Sequence, residues 1–193
     1  MAIAILPAAG SSRRMGRPKL LLPFRGGTVV GSLVQALREG GVSEIVLVTA
    51  PGDDALRAWA AEAGVRTVVN PDPDRGMLSS IREGIAWAPK YQQIVVCPAD
   101  LPALRASTVA TVLAEAGRHL LTVASYRGRR GHPLVIAPSL IPEIHTLDLD
   151  VGLRELLDRH PDRVHEVEVD DPGAVHDVDT PEEYRELAGG EAP

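Results

Sequence analysis

The sequence predicts an α/β sandwich with a mostly parallel central sheet. Three observations carry that expectation. Strand-like and helix-like segments alternate regularly from the N-terminus to about Tyr126. Several strand candidates are short, continuous apolar runs, the pattern of strands covered on both faces. Finally, 193 residues with 45% apolar content suffice for one domain with a sizeable core. Aromatics make up only 3%, so that core must be built from Val, Leu, Ile and Ala.

The elements follow in order. AIAIL (Ala2–Leu6) reads as a short buried strand. In TVVGSLVQALREGG, Val30, Leu33, Val34 and Leu37 recur at helical spacing, and Gly40-Gly41 marks the helix end. EIVLVTA (Glu44–Ala50) is a β-branched strand run. Asp53 or Asp54 can cap a helix reaching Ala63. VRTVVN gives a third strand, and a helix follows from about Leu78 to Ala88. QQIVVCPAD is a strongly apolar fourth strand, Ser107 caps a helix to about Gly117, and HLLTVASY is a fifth strand. Beyond Tyr126 the regularity weakens. GHPLVI, a helix from about Val151 to Arg159, and VHEVEVD suggest an added lobe or antiparallel edge strands. TPEEYRELA reads as a last helix, with Thr180 at its cap and Pro181 at its first position.

Composition excludes several classes. A net charge of −6 argues against general nucleic-acid binding, so any basic site must be local. The single cysteine, Cys97, cannot form an intrachain disulfide, which fits a reducing, cytoplasmic setting; its apolar run marks it as a buried structural thiol. The N-terminus lacks the basic region of a signal peptide, and no apolar run approaches the ~20 residues of a membrane span.

The chemistry-bearing residues fall after strands, where doubly wound sheets bind ligands. The densest basic stretch, LPAAGSSRRMGRPKLLLP (Leu6–Pro23), follows the first strand. It is neither a Walker motif nor G-x-G-x-x-G. Its parts still suit a triphosphate: Gly10 lets backbone approach a ligand closely, amides from Ser11 to Met15 can cradle oxygens, and Arg14 and Lys19 supply charge. NPDPDRGMLSS follows strand three and PADLP follows strand four. Asp100, at the end of a buried strand, suits a Mg²⁺ site shared with substrate phosphates. A single Asp makes a thin site, and HDVDTPEEY offers Asp177 and Asp179. If extended, these two point to opposite sides, so only one faces the metal. Asp179 is favoured and Asp177 is kept as a candidate behind it.

These motifs resemble the MobA-like NTP transferase family, and within it the molybdenum cofactor cytidylyltransferases (MocA-like). The family's Leu-Ala-Ala-Gly-x-x-x-Arg-Met-Gly-x-x-Lys-x-Leu is matched from Leu6 to Leu21, with Pro7 as the one departure, a residue that also occurs in relatives using CTP. Its Asp motif is matched at Ala99-Asp100-Leu101-Pro102, and its Asp-Ile/Val-Asp-Thr-Pro-Glu-Asp at Asp177–Glu183, with Glu183 in place of Asp. Asn70-Pro71 and Gly76 to Ser80 are similar to Asn-Pro…Gly-Met-Ser-Ser-Ser, with Leu78 replacing a Ser. Arg130-Gly131-His132-Pro133 matches Arg-Gly-x-Pro. LDLDVGLRELL is similar to Gly-Asp-x-Gly-Ala-Arg-x-Leu-Leu, but Leu149 and Leu153 replace a Gly and an Ala, which bears on the acceptor.

The resemblance implies a Rossmann-like three-layer α/β/α sandwich of the nucleotide-diphospho-sugar transferase type, one domain over 1–193 with a substrate-facing lobe at about 126–176. It implies nucleotide binding by Ala8, Ala9, Gly10, Arg14, Lys19, Asn70, Gly76, Ser79 and Ser80. It implies catalysis by Arg14, Lys19 and Asp100, and Mg²⁺ at Asp100 with Asp179 or Asp177. Arg130, Gly131, His132 and Pro133 are implied to meet the acceptor, whereas Arg13 and Arg17 lie outside the pattern and are expected to be solvated. The implied reaction transfers CMP from CTP to the terminal phosphate of molybdopterin carrying molybdenum, releasing pyrophosphate, with a molybdoenzyme as a further partner. The alternatives are a sugar-phosphate or phospho-alcohol nucleotidyltransferase, and a non-catalytic molybdenum cofactor-binding chaperone.

Overall fold

The computed structural model describes residues 1–10, 15 and 18–189. A seven-stranded sheet forms its centre. The strands are β1 (Ala2–Pro7), β4 (Val42–Thr49), β5 (Arg66–Val69), β6 (Gln93–Val96), β7 (Leu121–Tyr126), β8 (Arg129–Ile136) and β9 (Val164–Glu168). The small pair β2 (Pro23–Phe24) and β3 (Gly27–Thr28) stands apart. The helices are α1 (Val29–Glu39), α2 (Asp54–Glu62), α3 (Met77–Ile85), α4 (Ala106–Ala116), α5 (Ile141–Ile144), α6 (Arg154–Arg159) and α7 (Pro181–Leu187). The sheet order is β5-β4-β1-β6-β8-β7-β9, and every pairing is parallel except those of β8 with β6 and β7.

Successive β1 side chains alternate between the two faces. Ala2, Ala4 and Leu6 join Leu33 and Leu37 of α1, Leu56 of α2 and Val109 and Val112 of α4. Ile3 and Ile5 join Ile81 and Ile85 of α3, Ile144 of α5 and Leu156 of α6. Helices therefore cover both faces, giving three layers, and the continuous apolar strands are explained by that double covering. Cys97 is fully buried in the first cluster, and burial, with Asp100 nearby, pushes its thiol pKa up. It is a packing residue, as its apolar run predicts.

Two expectations are corrected. VHEVEVD forms an edge strand, but β9 runs parallel to β7, and the antiparallel strand is the interior β8. Alternating burial is the same for either strand direction, so the pattern could not choose. Ser107 does not cap α4. The N-cap residue is Arg105, whose own side chain makes no capping bond; its amide donates instead to Asp171 Oδ2 at 2.9 Å.

The scarce aromatics have a positional use. Phe24 and Tyr184 pack with Met15, Leu22, Val29 and Val178 in a third cluster. The Tyr184 hydroxyl donates to the Pro23 carbonyl, docking α7 on the β2–β3 pair. A full capping box starts α7: Glu183 N donates to Thr180 Oγ1, and Glu183 Oε2 accepts from Thr180 N. This anchors the segment just before α7 against the carboxyl ends of the central strands, where the Val178 amide donates to the Asp100 carbonyl at 3.0 Å.

Candidate functional site

A cavity of about 540 Å³ opens at those strand ends. That volume suits a small-molecule ligand. Four segments line it: Pro7 to Gly10 after β1, with Lys19 and Leu20 further on; Pro73, Gly76, Met77 and Ser80 around the start of α3; Pro98 to Asp100 after β6; and Asp177 and Asp179 before α7.

The first wall is backbone. Ala8 extends the sheet by donating to the Val48 carbonyl at 2.8 Å. Among the described residues, nothing lies within 4 Å of a Cβ built on Gly10. Opposite lies the N-terminus of α3, the positive end of its dipole. Gly76 precedes that helix at φ +87°, a conformation that favours glycine. Buried Asn70 braces the turn: its Nδ2 donates to Ser79 Oγ at 2.8 Å and Ser80 Oγ at 3.0 Å, and its Oδ1 accepts from the Asp72 amide at 3.0 Å. Ser79 donates in turn to the Gly76 carbonyl at 2.7 Å. Of the three, only Ser80 lines the cavity; Asn70 and Ser79 shape the wall from behind.

The cavity's charged centre is a lysine among carboxylates. Lys19 Nζ donates to Asp100 Oδ2 at 2.6 Å and to Asp179 Oδ1 at 2.8 Å. Burial alone disfavours its charge, but the two carboxylates outweigh this and raise its pKa above the ordinary lysine value. Asp100, Asp177 and Asp179 each offer one oxygen, and these oxygens all lie within 4.8 Å of one another. Partial burial, reinforced by the charges of Asp100, Asp179 and Glu183, raises the pKa of Asp177. Asp100 Oδ1 is buried without a hydrogen-bond partner among the described residues. An orphaned carboxylate oxygen inside a set of three carboxylates fits a hard divalent cation.

The expected opposition of Asp177 and Asp179 is thus corrected. Their segment is not a ladder strand, so the two-residue alternation does not apply, and both reach the same spot. Glu183 fixes the turn, its Oε2 accepting from the Asp179 amide at 2.9 Å as well as from Thr180.

Of the other residues singled out from sequence, Arg14 lies outside the described residues, as do Arg13 and Arg17. Arg130 to Pro133 do not line the cavity. Arg130 lies on exposed β8 backbone and is ion-paired with Glu166 at 2.8 Å. Burial lowers the pKa of His132, against the opposing pull of the Val96 backbone and the Asp100 charge. Gly131 has a packing reason: an added Cβ would stand 2.2 Å from the Ala174 carbonyl oxygen. Gly131→Ala is therefore expected to destabilise the protein by about 1–3 kcal/mol, read as a lower urea midpoint. Pro73, Met77 and Pro98 also line the cavity; they lie within the sequence motifs, but the sequence assigns them no role of their own.

A doubly covered, mostly parallel sheet with a lysine and three carboxylates at its strand ends belongs to the nucleotide-binding α/β class. More particularly, the chain belongs to the MobA-like NTP transferase domain family, whose model matches residues 4–164. It is thus a protein of nucleotidyltransferase type. It is 36% identical to the nicotine blue oxidoreductase of Paenarthrobacter nicotinovorans, covering 95% of this chain and 94% of that one. It is 25% identical to the molybdenum cofactor cytidylyltransferase of Escherichia coli, covering 93% and 92%. Among solved structures it is similar to Rv0371c of Mycobacterium tuberculosis, with a TM-score of 0.86 and 32% identity over 97% of both chains. That protein has also been solved as a complex with manganese (TM-score 0.81, 30% identity, 98% and 99% coverage). No helix among the described residues is long and apolar enough to cross a membrane.

Proposed function

We propose that this protein is a Mg²⁺-dependent nucleotidyltransferase that transfers CMP from CTP to the terminal phosphate of a molybdopterin-type acceptor. The observation that carries the reading is Lys19 held by Asp100 and Asp179, with Asp177 beside them, in a nucleotide-sized cavity. The similarity to the cytidylyltransferase supports the donor and acceptor, and the manganese complex of Rv0371c supports a divalent cation.

In this reading an acceptor phosphate oxygen attacks the α-phosphorus of CTP in line. The new O–P bond forms as the bond to the leaving pyrophosphate breaks, and the attacking oxygen, already ionised, needs no general base. Ala8, Ala9 and Gly10 let backbone approach the nucleotide closely. Ser80 and the start of α3, held by Asn70 and Ser79, offer hydrogen-bonding groups to the base. Lys19, and Arg14 from the same loop, offset charge gathering on the leaving pyrophosphate. A divalent cation held by Asp100, Asp179 and Asp177 would supply further charge compensation and orient the phosphates. The acceptor is assigned to the lobe of about 126–176, where Arg130 must exchange Glu166 for a phosphate oxygen.

The similarity to the nicotine blue oxidoreductase supports a second reading, an oxidoreductase on the same fold. Hydride chemistry gives the carboxylate cluster no task, which favours transfer. The test is pyrophosphate release with each of the four NTPs and Mg²⁺, with and without pterin or sugar-phosphate acceptors, alongside NAD(P)H consumption. Release with CTP and the pterin is expected. A strong preference for GTP overturns the cytidylyl assignment. Nicotinamide oxidation without pyrophosphate supports the second reading, and tight cofactor binding without turnover supports a chaperone.

A further inference from the structure

Lys19 already neutralises carboxylates that a cation would use. Its ammonium touches two of the three carboxylates at once, at 2.6 and 2.8 Å. An ammonium has three donors and no acceptor, so it satisfies carboxylates well but repels a second cation. The carboxylate oxygens lie within 4.8 Å of one another, so a dication held by them would stand close to the Lys19 ammonium and be repelled by it. Lys19 side-chain exposure is only 13%, so the contact is enclosed rather than a solvent-screened surface pair.

We infer that Lys19 is the resident counter-ion of the Asp100–Asp177–Asp179 cluster in the nucleotide-free protein, and that an incoming triphosphate opens the cluster to the divalent cation by drawing Lys19 away. This rests on the proposed reading that the cluster holds such a cation. The triphosphate offers Lys19 a replacement anion, so the lysine exchanges partners without losing charge compensation. The cation alone must displace Lys19 without supplying it a replacement anion. Cation and nucleotide therefore bind each other's site preparation, and the empty enzyme resists loading with metal.

The test is Mn²⁺ binding without nucleotide, measured by electron paramagnetic resonance and calorimetry on the full chain. Lys19→Met and Lys19→Gln are expected to bind Mn²⁺ roughly tenfold to a hundredfold more tightly than the unmodified protein. Lys19→Arg, which keeps the charge, is expected to show no gain. Adding Asp179→Asn to Lys19→Gln is expected to remove the gain. Equal or weaker Mn²⁺ binding by both neutral variants, or no detectable binding by any form, overturns the inference. A gain in Mn²⁺ affinity with no pyrophosphate release from any NTP leaves the counter-ion role standing and sinks the assigned reaction. Normal release with no gain does the reverse.

Discussion

Asp100→Asn is expected to lower pyrophosphate release by roughly a hundredfold or more while leaving the fold intact. The substitution keeps shape and removes charge. Asp100 Oδ2 bonds Lys19 at 2.6 Å, and Oδ1 is buried without a partner among the described residues. In the proposed reaction the same carboxyl group serves both halves of the site, steering the lysine with one oxygen and offering the other to the cation. An amide can keep one bond to Lys19 through its oxygen, but its NH₂ presents donors where a cation requires an acceptor. The fall should appear in kcat at saturating CTP and Mg²⁺, because the lost interaction is with charge that develops during transfer. Circular dichroism and the thermal midpoint check that the protein remains folded. Activity within a few-fold of the unmodified protein would remove Asp100 from the site.

How far the sequence reveals such a residue depends on the range of the forces that place it. β1, β4 and β6 were legible because burial on both faces leaves a local apolar signature. Lys19 and Asp100 were legible as chemistry, through motif and position after a strand. Their direct pairing was not, since the two are 81 positions apart. Arg130 illustrates the same limit from the other side. Its local sequence reads as a free cation, yet β9 places Glu166 against it. The convergence of Asp177 and Asp179 was hidden because alternation presumes a regular strand, and this segment is set instead by the Val178–Asp100 backbone bond and by Glu183.

Asp171 was missed altogether, and its removal carries the largest expected cost to stability. Asp171→Ala should destabilise the protein by about 2–4 kcal/mol. The residue is only 2% exposed. Its Oδ2 accepts from the Arg105 amide at 2.9 Å and from Thr108 Oγ1 at 2.6 Å, and its Oδ1 accepts from the Gly173 amide at 3.0 Å. It thereby supplies, from far along the chain, the capping carboxylate that α4 lacks locally, where the negative charge also complements the helix dipole. Alanine would leave three donors without that acceptor, two of them on buried residues, Thr108 and Gly173. Arg105 adds little to the cost, because its guanidinium is largely exposed and stays hydrated. The contact also closes the segment around Gly173 onto the loop that carries Asp100: a Cβ on Gly173 would stand 2.2 Å from the Ala103 carbonyl oxygen. Loosening it should therefore cost activity as well as stability. Urea unfolding checks the first, with a lower midpoint and an unchanged slope expected. Ser107→Ala is the discriminating control, since the local reading makes Ser107 the cap. If Ser107→Ala costs as much as Asp171→Ala, the helix is capped locally after all. A cost near zero for Ser107→Ala, beside a large one for Asp171→Ala, places the cap where the tertiary structure puts it.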